Sequence, residues 1–252
     1  MTGRPANGVL AKRLMLGSLA IGLALAPLFL AFPEIDLGVA ALGFEPGNGF
    51  PANREPPWTY VRPLIYGSMY VVIGGCIVLL AWRLAARWIA RVPPWLPSTR
   101  SLIYVLACLA IGPGLVVNSL LKDNWGRPRP SQIEPFGGTR TFAPPLLIDD
   151  QCSRNCSFVS GEAAAAFGLV ALGLAVSRRS RLRPRSMIAA ALVFGAAAGF
   201  VRIMQGGHFL SDVVYAGVVV CFICGALYGL FFGFLPRRHG LPTWTAGSGT
   251  TA

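Results

Sequence analysis

Charge is scarce in this 252-residue chain. Only 13% of the residues are Asp, Glu, Lys or Arg, against 54% hydrophobic, and the mean hydropathy is +0.58. So little charge excludes a disordered chain and argues against a soluble globule. Heptads are missing, which excludes a coiled coil, and no Gly-X-Y period is present, which excludes a collagen-like fibre. There is no internal repeat and no linker that would mark off a soluble domain. Acids are outnumbered, ten against 22 Lys and Arg, for a net charge of +12. In a soluble protein that excess points to nucleic acid. Here the basic residues cluster beside apolar segments and no aromatic-lined basic groove accompanies them, so nucleic acid is not expected as a partner.

What the chain has instead is apolar length. Six segments, near 14–32, 64–82, 101–121, 160–177, 186–203 and 211–235, are long and apolar enough to cross a bilayer. The fourth and fifth are rich in Ala and Gly, the composition of packed inner helices. Pro27 and Pro113 fall inside spans, where neighbouring helices can satisfy the carbonyls they free. Lys12 and Arg13 precede the first apolar run, as in a signal peptide. The run has the length of a full span and no small-x-small cleavage site, so it reads as an uncleaved anchor. The expected layout is a tail over 1–12, a membrane domain over 13–236 and a second tail over 237–252, whose composition has no apolar period.

Charge sets the orientation. Arg4, Lys12 and Arg13 precede the first span, and Arg83, Arg87, Arg91 and Arg100 join the second to the third. Arg178, Arg179, Arg181, Arg183 and Arg185 join the fourth to the fifth, and Arg237 and Arg238 follow the sixth. These 14 basic residues share one side with no acid, while all ten acids and the other eight basic residues lie opposite. Lys and Arg stay cytoplasmic, so both termini are expected inside, with outer loops near 33–63, 122–159 and 203–210.

Three polar clusters stand at the outer ends of spans. They are Lys122-Asp-Asn-Trp-Gly-Arg-Pro-Arg129-Pro130, Cys156-Ser-Phe-Val-Ser160-Gly161-Glu162 and Arg202-Ile-Met-Gln-Gly-Gly-His208-Phe-Leu-Ser-Asp212. Lys122, Arg129 and Arg202 are cations on the side that should be poor in them. Singly, each is explained by snorkelling at a span end. Jointly, and beside His208 and Asp212, they describe an anion pocket with a nucleophile or base and a carboxylate able to fix its tautomer. Ser160-Gly161 opens a helix, where free N–H groups favour an anion, and simple N-capping by Ser160 is compatible with that. The anion best matched to several fixed cations is phosphate. Arg127 either assists the phosphate or faces solvent, and His239 lies in the tail.

In this order, Lys-x6-Arg-Pro, Ser-Gly-His and Arg-x5-His-x3-Asp are the motifs of the type 2 phosphatidic acid phosphatase (PAP2) superfamily, which residues 100–235 resemble. The first motif is matched over 122–130 and the third over 202–212. The second, over 159–162, ends in Glu162 where the family has His. The resemblance implies an all-α membrane protein with six transmembrane helices and a metal-independent, cofactor-free phosphatase. In it, His208 attacks phosphorus and forms a phosphohistidine, and Asp212 orients His208. Lys122, Arg129, Ser160, Gly161 and Arg202 hold the phosphate oxygens. Glu162 is then a substituted general acid, or the enzyme depends on a good leaving group, or turnover is impaired. Burial would help Glu162 keep a proton and the neighbouring cations would strip it.

Phe32-Pro-Glu-Ile-Asp36, Glu134-Pro-Phe-Gly-Gly-Thr and Asn155-Cys-Ser-Phe-Val-Ser-Gly look like the bacterial subset associated with lipid A dephosphorylation. The substrate this implies is a membrane lipid, lipid A first, with the phosphate position open. Undecaprenyl diphosphate, phosphatidylglycerophosphate and phosphatidic acid stay open within the class. So do phosphotransfer between lipids and a non-catalytic lipid-binding or transport protein. The implied location is the bacterial inner membrane with the site facing the periplasm, where Cys152 and Cys156 can form a disulfide, though their short spacing leaves its geometry open. No His is near these cysteines for zinc. Cys76, Cys108, Cys221 and Cys224 read as packing residues. Oligomeric state is not legible.

Overall fold

The computed structural model describes residues 7–89, 93, 95–176 and 183–234. Arg4, Arg91, Arg178, Arg179, Arg181, Arg237, Arg238, His239 and the tail expected over 237–252 lie outside the described residues. The elements are helical: α1 (Gly8–Ala31), α2 (Glu34–Ala41), α3 (Trp58–Ile89), α4 (Thr99–Leu109), α5 (Lys122–Asn124), α6 (Gly161–Phe167), α7 (Val170–Ala175), α8 (Pro184–Met204) and α9 (Leu210–Phe232). No strand occurs among the described residues, which agrees with the all-α expectation.

Five helices are long and apolar enough to cross a membrane: Gly8–Ala31, Trp58–Ala86, Thr99–Asn124, Pro184–Met204 and Leu210–Phe232. Each covers one expected span with shifted ends. The first starts at Gly8, so residues 8–12 are helix rather than tail. The expected span over 160–177 is a shorter apolar segment, Gly161–Ala175, broken between Phe167 and Val170. Hydropathy alone reads that stretch as one span because it does not register the break.

Small side chains explain its position. Nearly every residue of α6 and α7 is buried, among α3, α4, α8 and α9. Ala165 and Ala166 of α6, for example, meet Ile65 of α3 and Ala198 of α8. Ala and Gly let the surrounding backbones close in on this pair, as the composition suggested for its place. In α1 and α3 most of the apolar surface faces outward.

Two further features position the site. Pro113 has no N–H to donate, and the helix continues from α4 through Ala110–Leu121 in the wider π-helical form before ending in α5. This brings Asn118 and Lys122 against the start of α6. At the same end, α2 and the long loops close over the bundle around a separate small core of Ala40, Phe50, Ile133, Phe136 and Phe209. The Phe44, Phe50 and Phe136 rings pack mutually, with centroids 5.2–5.5 Å apart.

Candidate active site

The three polar clusters meet at this covered end. His208, in the turn between α8 and α9, is fully buried. Its Nδ1 lies 2.8 Å from the carbonyl oxygen of Ser157. A carbonyl only accepts, so Nδ1 carries a proton, and in the neutral ring the Nε2 lone pair is then free, the form a nucleophilic imidazole requires. Among the described residues Nε2 has no hydrogen-bond partner. Neither has Glu162 Oε2, 3.6 Å from it, nor the Nε of Arg202, 3.6 Å from Glu162 Oε1. Buried polar atoms are normally satisfied. Three unpartnered ones around one point mark where a polar ligand would sit.

Cations surround that point. Arg202 is held by its Nη1 donating to Gln205 Oε1 at 2.5 Å, and Gln205 Nε2 donates onward to the carbonyls of Ala52 and Trp58 at 3.2 and 3.0 Å. Its guanidinium lies where a side chain on Gly207 would be, so that position must stay bare. Lys122 is buried at the start of α6: a Cβ on Gly161 would meet its Nζ at 3.3 Å and Asn118 Oδ1 at 2.8 Å. Ser160 caps α6, its Oγ accepting from Ala163 N–H at 3.4 Å, and its own N–H donates to the Asp212 carbonyl at 3.1 Å. Arg129 reaches in from the loop and donates to the Asn155 carbonyl at 2.8 Å. Burial, and then the charge of Arg202, lower its pKa from the usual arginine value, which favours binding an anion there.

Asp212 reaches His208 by a longer route than the sequence suggests. Its Oδ2 lies 3.8 Å from Nδ1, beyond hydrogen-bond length, because the Ser157 carbonyl holds that nitrogen. Oδ2 instead accepts from Ser157 Oγ at 2.5 Å and Phe209 N–H at 2.8 Å. Asp212 thus fixes Ser157, and Ser157 fixes the ring.

Arg127 does not face solvent, and its guanidinium is taken up by acceptors other than the unpartnered atoms at His208 Nε2. It is fully buried and donates to Asp212 Oδ1 at 2.6 Å, Asp36 Oδ2 at 2.7 Å, Ser211 Oγ at 2.8 Å and the Ala143 carbonyl at 2.8 Å. Its guanidinium carbon lies 4.3 Å from the centroid of the Phe209 ring. Asp36 also accepts from the N–H of Ser211 at 2.8 Å and from its hydroxyl.

Three residues of this arrangement were not singled out by sequence. Ser157 acts mainly through its backbone, which no residue type reveals. Asp36 stood within a recognised segment without a role. Arg62 of α3 pairs with Glu162, Nε to Oε1 at 3.2 Å. It carries the signal that flags Lys122, Arg129 and Arg202, a cation at the outer end of a span, but lies outside the motifs. Cys152 and Cys156 are disulfide-bonded with their Cα atoms 5.7 Å apart. Cys76, Cys108, Cys221 and Cys224 are buried free thiols. Among the described residues no three His, Cys, Asp or Glu stand close enough to share a metal.

An imidazole with an unpartnered Nε2 among fixed cations suits phosphoryl transfer, and the comparisons with known proteins point to a phosphatase family. The model of the PAP2 superfamily matches residues 101–236. A protein of Francisella tularensis subsp. novicida named "Lipid A 4'-phosphatase" is 44% identical over 206 residues, 81% of this chain and 89% of the relative. Relatives of the same name from Rhizobium leguminosarum and Rhizobium etli are each 34% identical over 82% of this chain, covering 91% and 83% of their own lengths. No solved structure matches. The family match spans all three segments that build the site, and the chain belongs to the PAP2 superfamily.

Proposed function

We propose that this PAP2 lipid phosphatase removes the 4'-phosphate of lipid A at the periplasmic face of the bacterial inner membrane. The chemistry rests on one observation: His208, protonated on Nδ1, turns an unpartnered Nε2 toward Arg202 and Glu162. The choice of lipid rests on the named relatives. An apolar cavity of about 360 Å³ supports a lipid substrate. It is lined by Tyr66, one turn along α3 from Arg62, by Asn118 beside Gly161, and by apolar residues of α3, α4 and the π-helical stretch. In this reading Gly161–Ala175 makes a sixth crossing, both termini are cytoplasmic, and the disulfide lies on the oxidising side.

The reaction has two steps. His208 Nε2 attacks phosphorus; the N–P bond forms as the ester P–O bond breaks, and the electron pair leaves with the sugar oxygen, which takes a proton from Glu162. Water then attacks the phosphohistidine, giving its proton to Glu162, and the N–P electrons return to Nε2. Lys122, Arg129, Arg202 and the Ser160-Gly161 turn hold the phosphoryl oxygens, where charge is greatest in the transition state. The Ser157 carbonyl, held by Asp212, keeps the ring oriented and supports its charge when Nε2 is phosphorylated.

The test is phosphate release from lipid A by detergent-solubilised protein with EDTA present. Release is expected to survive chelation and to vanish in His208→Ala. Release from other lipid phosphates but not lipid A would overturn the substrate. Lipid binding with no turnover, unchanged by His208→Ala, would replace the enzyme with a binding protein.

A further inference from the structure

Arg62 lies outside the three motifs, and the reaction above does not use it. Yet its Nε approaches Glu162 Oε1 more closely, at 3.2 Å, than does that of Arg202, at 3.6 Å. The two arginines differ in exposure: the side chain of Arg62 is 58% exposed and that of Arg202 only 7%. Arg62 therefore stands at the mouth of the site. Its guanidinium carbon lies 5.9 Å from the Tyr66 ring centroid, and Tyr66 lines the apolar cavity.

Glu162 is a carboxylate between two guanidiniums, 3.6 Å from the nucleophilic nitrogen. That is where a bound phosphate belongs. A settled buried ion pair uses all its lone pairs and N–H groups. Here Glu162 Oε2 and Arg202 Nε are both left over. The ring of donors suits an anion with more oxygens than a carboxylate has.

We propose that Glu162 is the resident anion of the substrate-free site and that Arg62 is a further phosphate-binding residue, which Glu162 yields to the substrate. The inference rests on the phosphatase reading above. An incoming monoester monoanion takes Arg62 and Arg202 from Glu162. Released from both cations and facing the phosphate, the carboxylate takes the phosphate's own proton: RO–PO3H⁻ becomes RO–PO3²⁻ as Glu162 becomes the neutral acid. That proton is the one delivered to the leaving oxygen when the P–O bond breaks. Substrate binding thus loads the general acid, and a Glu among cations is able to do the work the family gives to His.

Calorimetric titration of the detergent-solubilised protein with orthovanadate, alongside turnover of lipid A, tests this. Glu162→Gln keeps the shape and removes the competing charge. It is expected to bind vanadate about tenfold more tightly than wild type while turnover falls about a hundredfold. Arg62→Ala is expected to bind vanadate about tenfold more weakly and to raise KM more than it lowers kcat, with Arg62→Lys recovering part of the loss. In the double variant the gain from Glu162→Gln should shrink, because the cation it frees is gone. Vanadate affinity in Glu162→Gln equal to or below wild type, or unchanged in Arg62→Ala, overturns the inference while wild-type turnover leaves the phosphatase reading standing. Wild-type protein that neither binds vanadate nor releases phosphate from any monoester overturns both.

Discussion

At the Nδ1 edge of His208 lie Asp212, Ser157, Arg127, Asp36 and Ser211; at its Nε2 edge lie Glu162, Arg202, Arg62 and Lys122. Both groups bury charge. In the first, Arg127 meets four acceptors and each carboxylate oxygen of Asp36 and Asp212 accepts a hydrogen bond. In the second, three buried atoms have no hydrogen-bond partner among the described residues. The first ties α2, the long loop and α9 into one frame. The second is charge that this frame holds ready. A buried polar network that is complete is structure, and one left incomplete is a place for a ligand.

Paired substitutions should separate the two most widely. Arg127→Met leaves Asp36 and Asp212 buried without their cation, which costs about 3–5 kcal/mol. A large fall in the thermal unfolding midpoint in detergent is expected, with activity lost along with the fold. Arg202→Met removes one buried hydrogen bond, to Gln205, and a cation whose Nε is already unpartnered, while Glu162 keeps Arg62. Its unfolding midpoint should fall less than that of Arg127→Met while phosphate release drops about 10²–10³-fold. An Arg127→Met protein as stable as wild type but inactive would make Arg127 a phosphate ligand and erase the distinction.

Asp36→Asn probes the complete network more gently, because it keeps the shape and removes the charge facing Arg127. A loss of about 1.5–3 kcal/mol in stability is expected. The fall in kcat should be smaller than for Arg202→Met, and KM should hardly change, since Asp36 touches neither the phosphate position nor its cations. A KM that rises sharply would place Asp36 on the substrate side.

The incomplete network was the more legible of the two in the sequence. Lys122, Arg129 and Arg202 stand out because they are cations at span ends on the side that should lack them, and Arg202 shares one short segment with His208 and Asp212. The complete network gave no such signal. The burial of Arg127 depends on Phe142, Phe209 and Asp36, which the fold brings from three separate segments. The acceptor for His208 Nδ1 is a main-chain carbonyl that any residue would supply. The architecture divides the same way. Apolar runs found the five long helices, because hydropathy sums over many residues. The eight-residue α2 is too short for periodicity to declare it. No residue type announces the break between Phe167 and Val170, and only Pro113 hints at the wide turns of Ala110–Leu121.

The smallest effect is expected at Cys152–Cys156, whose loop touches both networks. Inside the loop it closes, the Asn155 carbonyl accepts from Arg129 and the Asn155 N–H donates to Asp123 at 3.1 Å. Just beyond it, the N–H of Cys156 donates to the Lys122 carbonyl and that of Ser157 to the Arg127 carbonyl, each at 2.9 Å. A cross-link around so short a loop contributes about 2 kcal/mol by chain entropy. The Ser157 end has other restraints, from Asp212 and His208, whereas among the described residues the Arg129 guanidinium donates only to the Asn155 carbonyl. Opening the bond should therefore loosen the phosphate side first. Cys152→Ser, or wild type in dithiothreitol, is expected to raise KM for lipid A a few-fold with kcat largely kept and a modest drop in unfolding midpoint. If kcat falls while KM holds, the disulfide acts through Ser157 on the ring of His208, and it belongs to the complete network instead.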